Sequence, residues 1–139
     1  IVRPIIDKLI SAMSKVYADK QVETELSYQD CTFFGDERDL MEVLGNIIDN
    51  AYKYGSHRVR IELGRTKGID LKIVVEDDGA GIENADRGKI LSRGSRLDSS
   101  ELGQGIGLAV VVEIVNRYGG QIEIEDSILG GAKVSITFS

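Results

Sequence analysis

The chain has no tryptophan, one cysteine (Cys31), one histidine (His57) and one proline (Pro4) in 139 residues. A single cysteine excludes an internal disulfide and fits a reducing compartment. One Cys with one His offers too few soft ligands for a zinc site. There is no apolar run long enough to span a bilayer and no signal peptide. Positive charge is in deficit as well, with 17 Lys and Arg against 23 Asp and Glu and a net charge of −6. Nucleic acid is therefore excluded as the main partner, because a phosphate backbone asks for a basic face. A phosphorylated small molecule is not excluded, since it needs only a few local cations or a bridging Mg²⁺. The chain opens on Ile1 and not on Met, which predicts a fragment of a longer protein whose parent can still be membrane-bound.

What is present is a domain-sized chain with 42% hydrophobic residues, enough for a core, and 16 glycines. The length predicts one domain over 1–139. The glycines cluster at 79–81, 103–107, 119–120 and 130–131, a pattern of placed backbone features and not of low complexity.

The most informative stretch is Ile73-Val74-Val75-Glu76-Asp77-Asp78-Gly79-Ala80-Gly81-Ile82. It starts as an apolar, β-branched run, which predicts a buried strand. It ends in two carboxylates and two glycines where that strand leaves the core. Glycine there lets the backbone turn tightly and approach a ligand closely.

Apolar residues at Ile5, Ile6, Leu9, Ile10, Met13, Val16 and Tyr17 predict a helix over 4–18, with Pro4 tolerated in its first turn. Alternation over Val22–Tyr28 predicts a half-buried strand. Thr32-Phe33-Phe34 predicts a second, short strand closed by Gly35. Asp36 is placed to cap a helix over 37–54, with Asp39 in its first turn. At about 100° per residue, Leu40, Val43, Leu44, Ile47, Ile48 and Ala51 share one side of that helix. Glu42, Asn46, Asn50 and Lys53 share the other. A plain solvated face explains Glu42 and Lys53 singly. Two asparagines at i, i+4 are harder to explain, because Asn is a mediocre helix former. Amide carbonyls suit a hard cation.

Val59–Leu63 and Ile69–Glu76 predict a hairpin turning at Lys67-Gly68. His57 precedes it and reads as a surface histidine. Residues 83–102 are polar and weakly periodic, and they hold Arg87, Lys89, Arg93 and Arg96. Their position between two glycine motifs predicts a mobile lid, with a disordered loop as the alternative. Gly103-Gln104-Gly105-Ile106-Gly107-Leu108 then opens a helix that ends at Gly119-Gly120. Exposed N–H groups at such a helix start make an anion site. The motif is neither a Rossmann fingerprint nor a P-loop, because the glycine spacing differs and no Gly-Lys-Ser/Thr follows. Residues 121–126 and 132–138 predict a closing strand pair joined through Gly130-Gly131.

Three motifs thus stand in order: Asn46-x-x-x-Asn50 on a helix, Asp77-x-Gly79-x-Gly81 after a strand, and Gly103-x-Gly105-x-Gly107 before a helix. Together they resemble the N, G1 and G2 boxes of the GHKL superfamily, the Bergerat ATP-binding fold of histidine kinases, gyrase, Hsp90-type chaperones and MutL. Val74–Gly79, Arg93-Gly94-Ser95-Arg96, Gly103–Val110 and Leu129–Ala132 look most like the catalytic domain of a sensor histidine kinase. The resemblance covers nearly the whole chain. Two positions depart from the family pattern: Ala80 where Pro is common, and Leu91 where a phenylalanine is common.

The resemblance implies an α+β, two-layer sandwich, with three helices on one face of a mixed, mostly antiparallel five-stranded sheet. It implies ATP and Mg²⁺ as cofactors. Asp77 would accept from the adenine amino group, with Gly79, Gly81 and Ile82 around the base. Asn46 and Asn50 would hold Mg²⁺. Lys53 would contact phosphate, and Tyr54 would pack near the nucleotide. Glu42 would be the catalytic base or orient it. Arg93 and Arg96 would reach the phosphates, and Gly103, Gln104, Gly105, Ile106, Gly107 and Leu108 would line them. The implied partners are a histidine-bearing dimerisation segment of the parent and a response regulator of a two-component phosphorelay. The fragment is expected to be a monomer and the parent a homodimer, with this domain on the cytoplasmic side of a bacterial inner membrane. Two other readings compete. One is a gyrase- or MutL-type ATPase in which Glu42 activates water. It is disfavoured because the chain ends soon after the second glycine motif, with no further domain to supply a catalytic lysine. The other is a nucleotide-binding module without transfer, which has no use for an intact Glu42, Asn46, Asn50 and Lys53.

Overall fold

The computed structural model describes residues 2–79 and 104–139, with residues 104–107 described by their backbone alone. Helix α1 (Arg3–Val16) has its proline in the first turn and buries Ile5 and Ile6. A 3₁₀ turn (Ala18–Lys20) leads into strand β1 (Glu23–Tyr28), whose exposure alternates along its length. Helix α2 (Glu37–Tyr54) starts at Asp36, whose side chain accepts from the Arg38 N–H at 2.8 Å. Its apolar side buries Leu40, Val43, Leu44, Ile47, Ile48 and Ala51, and Tyr52 joins them. Strands β2 (Arg58–Thr66) and β3 (Ile69–Asp77) form the expected hairpin. Helix α3 (Gln104–Arg117) is followed by β4 (Gln121–Asp126) and β5 (Ala132–Phe138).

The sheet runs β1-β2-β3-β5-β4. Only β1 and β2 pair in parallel; the other three pairings are antiparallel. Period-2 alternation sends Leu71, Ile73 and Val75 of β3 to one face. There they share a core with Ile5 and Ile6 of α1, Leu44 and Ile48 of α2, and Val111 and Val115 of α3. The three α-helices among the described residues thus cover the same face, which is the two-layer α+β sandwich expected from the sequence. Among the described residues no helix is long and apolar enough to cross a membrane.

The opposite face is polar. One register row runs Glu25, Arg60, Glu76, Lys133, Glu125 across all five strands, alternating in sign. Opposite charges directly across a sheet stabilise it by a few tenths of a kcal/mol up to about 1. Arg60 joins the first three, at 3.7 Å from Glu25 and 3.8 Å from the buried Glu76.

One local expectation fails. Thr32-Phe33-Phe34 forms no strand. Phe33 instead packs edge-on against Tyr118 and Phe138, with ring centroids 5.1 and 5.0 Å away. Burying the ring in that cluster outweighs pairing at a sheet edge, and Phe34 is left exposed. The lid expected over 83–102, with Ala80 and Leu91, lies outside the described residues.

Candidate functional site

The end of β3 and the end of α2 meet. Because strand side chains alternate, Glu76 points to the polar face and Asp77 to the helical one. Asp77 is 8% exposed. Its Oδ1 accepts from the N–H of Gly79 at 2.9 Å and of Ala132 at 3.4 Å, while its own carbonyl accepts from Gly131 N–H at 3.0 Å. Burial pushes the Asp77 carboxyl above the usual carboxylate range. The two N–H groups and Lys20 oppose that push, and the neighbouring Asp78 adds to it. Asp78 has the reverse balance. Partial burial works against its anion, but backbone N–H groups of Arg58, His57 and Ser56 outweigh it and hold the carboxyl low. Asp78 accepts from Ser56 at 2.8 Å and His57 at 3.0 Å, and so pins the α2–β2 connection to the mouth of β3.

Two glycines make this approach possible. A Cβ on Gly79 would lie 2.0 Å from the Tyr54 carbonyl oxygen, the last residue of α2. A Cβ on Gly131 would lie 2.2 Å from Asp77 Oδ1. Any side chain at either position would push the helix end, the strand end and the β4–β5 connection apart.

The polar strip of α2 is unevenly exposed. Glu42 and Lys53 are exposed, and Asn46 and Asn50 are half-buried. The Asn46 amide nitrogen donates to the Glu42 carbonyl at 2.8 Å, which leaves its oxygen as the outward acceptor. Asn50 Nδ2 and the Tyr54 hydroxyl are buried without a hydrogen-bond partner among the described residues. Each such group costs about 1–3 kcal/mol. Lys53 Nζ sits 5.5 Å from the Tyr54 ring centroid. The outward oxygen of Asn46 suits a hard cation, as does Asn50 if its amide is rotated to present oxygen.

Lys20 was not legible as part of this site. Its ammonium donates to the carbonyls of Tyr52 at 2.9 Å and Lys53 at 2.7 Å. Those are unpaired carbonyls of the last turn of α2, where a cation is favoured. A lone lysine after a helix carries no sequence signal for this. Tyr17 braces the same helix through its hydroxyl, which donates to Asp49 at 2.7 Å. Burial and that carboxylate push the Tyr17 hydroxyl up to about 12.

Of the remaining expected site residues, Gln104, Gly105, Ile106 and Gly107 lie in the first turn of α3 and not in a loop before it. Their N–H groups are among those left without intrahelical partners. The Leu108 side chain is 2% exposed and belongs to the core, so only its backbone can face a ligand. His57 is exposed, and its backbone serves Asp78. Gly81, Ile82, Arg93, Arg96 and Gly103 lie outside the described residues.

Residues 35–139 match the family described as histidine kinase-, DNA gyrase B- and HSP90-like ATPase. The chain belongs to this family. It is 44% identical over 138 residues to the virulence sensor histidine kinase PhoQ of Salmonella typhimurium, and equally to the sensor protein PhoQ of Escherichia coli K12. Each match covers 99% of this chain and 28% of the relative, so the chain spans just over a quarter of the length of these kinases. Among solved structures, the mycobacterial sensor histidine kinase MprB superposes with a TM-score of 0.83 at 26% identity. That superposition covers 99% of this chain and 94% of MprB's. Within this ATPase family the similarity falls on sensor kinases along nearly the full chain.

Proposed function

We propose that this domain binds ATP with Mg²⁺ between the end of α2 and the mouth of β3. It transfers the γ-phosphoryl group to a histidine carried outside this chain. The observation that carries the reading is the junction itself. A carboxylate held by Gly79 and Ala132 sits where β3 meets the end of α2, and that helix bears two buried polar groups, on Asn50 and Tyr54, without a partner among the described residues. The PhoQ similarity favours a kinase over a water-activating ATPase.

In this reading Asp77 selects the base by accepting from its amino group, with Gly79, Gly81 and Ile82 beside the ring. Asn46 and Asn50 hold the Mg²⁺. When bound, that ion neutralises phosphate charge. Lys53, Arg93 and Arg96 add cations to the phosphates. The first turn of α3 supplies backbone N–H groups to the phosphates. Transfer depends on positioning and charge neutralisation more than on covalent participation. A ring nitrogen of the acceptor histidine attacks the γ-phosphorus. The P–N bond forms as the bond to the bridging oxygen breaks, and ADP leaves with that electron pair. The proton on the other ring nitrogen passes to the Glu42 carboxylate. The parent is a dimeric sensor of a bacterial inner membrane with this domain on its cytoplasmic side. Its phosphohistidine supplies a response regulator's aspartate.

The test is transfer from labelled ATP to the separately supplied histidine segment. Glu42→Ala should lower the rate by about 10²–10⁴, the usual contribution of a positioned base, with ATP affinity unchanged. Undiminished transfer removes Glu42 from the role of base. Loss of ATP binding in the wild-type chain removes the whole reading.

A further inference from the structure

The β4–β5 connection is tied to the end of β3 from both faces of the sheet, and nucleotide binding as described uses only one of them. Within the connection, Ser127 N–H donates to the Gly131 carbonyl at 2.8 Å, and Gly130 N–H donates to the Ser127 carbonyl at 2.9 Å. Gly130 takes a φ of +110°, which glycine adopts readily and other residues do not. The main chain thus closes this turn by itself. Those bonds set its shape and leave open where it stands against β3.

Three other bonds set its place. Gly131 N–H reaches the Asp77 carbonyl at 3.0 Å, and Ala132 N–H reaches Asp77 Oδ1 at 3.4 Å. The third lies on the polar face. There the Ser127 hydroxyl donates to Glu76 Oε1 at 2.7 Å and accepts from Leu129 N–H at 2.9 Å. Glu76 and Ser127 are both buried. Burying a carboxylate is costly unless it is paired. Ser127 holds one oxygen of this one, and Arg60 stands 3.8 Å from the other. Closing a turn needs no buried carboxylate, so the group calls for another account. Successive strand residues point to opposite faces. Glu76 therefore grips the turn from the polar side, beside the point where Asp77 meets it from the helical side.

We propose that Glu76 and Ser127 are positioning residues of the nucleotide site. Their bond stops the turn from tilting about the contact between Gly131 and Asp77. It thereby fixes the Ala132 N–H against Oδ1 and holds the carboxylate in the orientation that accepts from the adenine amino group. The inference rests on the nucleotide reading above and adds a pair that acts through Asp77 without touching the ligand.

Ser127→Ala removes the donor with little change in volume. In the ligand-free chain, hydrogen exchange at the Gly131 and Ala132 amides should then speed about tenfold, the mark of a local opening. Amides in the middle of β3 should keep their rates. ATP should bind about tenfold more weakly by calorimetry, the loss of one well-placed hydrogen bond. Inosine triphosphate, which has an oxygen in place of the adenine amino group, should bind as before. Ser127→Thr, which keeps the hydroxyl, should restore ATP affinity. Glu76→Leu should reproduce the loss, and Ser127→Ala combined with Glu76→Leu should lose no more than the larger single loss. Wild-type exchange rates at Gly131 and Ala132 in Ser127→Ala would overturn the proposal. So would equal weakening of ATP and inosine triphosphate, or losses that add in the double variant. A wild-type chain that binds no ATP overturns the nucleotide reading and this inference with it. A wild type that binds, with Ser127→Ala discriminating the two nucleotides as well as before, overturns this inference alone.

Discussion

At its N-terminal end, α2 is tied down by complete pairs. Asp36 caps the helix, Tyr118 donates to Asp39 at 2.5 Å and accepts from the Asp36 N–H at 3.1 Å, and Arg117 lies 3.7 Å from Asp39. Beneath them Phe33, Tyr118 and Phe138 pack edge to face. At its C-terminal end the same helix carries two buried polar groups without partners among the described residues and abuts a carboxylate whose charge burial disfavours. Both ends are built from similar residue types. The difference is that one end is satisfied among the described residues and the other is not, and unsatisfied buried polar groups call for an explanation, which the proposed nucleotide site supplies.

The contrast can be broken most forcefully from the closed end. Phe138 is 5% exposed, and Phe138→Ala should cost about 3–5 kcal/mol of stability, read from the urea midpoint. ATP affinity of the protein that remains folded should not change. A parallel fall in affinity would mean that the two ends are coupled and the comparison is mistaken.

The next effect belongs to the open end. Asp77→Asn should weaken ATP binding by about 10–100-fold, the loss of a hydrogen bond to a charged group, measured by calorimetry. Its effect on stability should run the other way. The raised pKa of Asp77 means that its favourable contribution is complete below the ordinary aspartate pKa. It is lost as pH rises through the folded-state value. At neutral pH the wild type therefore carries a penalty that Asn lacks. The stability gap between variant and wild type should widen from pH 3 to pH 7, and a gap independent of pH would contradict the account of Asp77's burial.

Smaller effects sharpen the same comparison. Tyr54→Phe removes an unpaired hydroxyl and should be neutral or stabilising, whereas Tyr118→Phe should cost about 1 kcal/mol. Equal losses from both would erase the distinction between the ends. Asn50→Ala should leave stability unchanged and remove the dependence of ATP affinity on Mg²⁺, seen by titrating the metal. Smallest is Lys20→Met. Loss of its bonds to two last-turn carbonyls should cost about 1 kcal/mol or less, with Lys20→Arg restoring most of it.

Much of this could be read from local pattern. Apolar spacing placed α2 over 37–54, Asp36 announced its cap, and alternation outlined β4 and β5 together with their glycine connection. These are properties of neighbouring residues, and the structure keeps their bounds. The motif order Asn46–Asn50, Asp77–Gly79 and Gly105–Gly107 likewise pointed to an ATP-binding family before any geometry was available. Thr32-Phe33-Phe34 shows where local pattern stops. Its β-forming residues make no strand, because Phe33 finds Tyr118 and Phe138, far along the chain, a better partner than a sheet edge.

The amino-acid order by itself determined the elements, their periodicity and the family, since these depend on contacts a few residues apart. Only the tertiary structure decided that Asp77 is buried, that the Tyr54 carbonyl rests against Gly79, and that Lys20 closes a helix end 33 residues away. It alone left Asn50 and Tyr54 without partners among the described residues, because whether a polar atom is satisfied depends on segments brought together by packing. Ala132, 55 residues beyond the Asp77 it serves, is the clearest case.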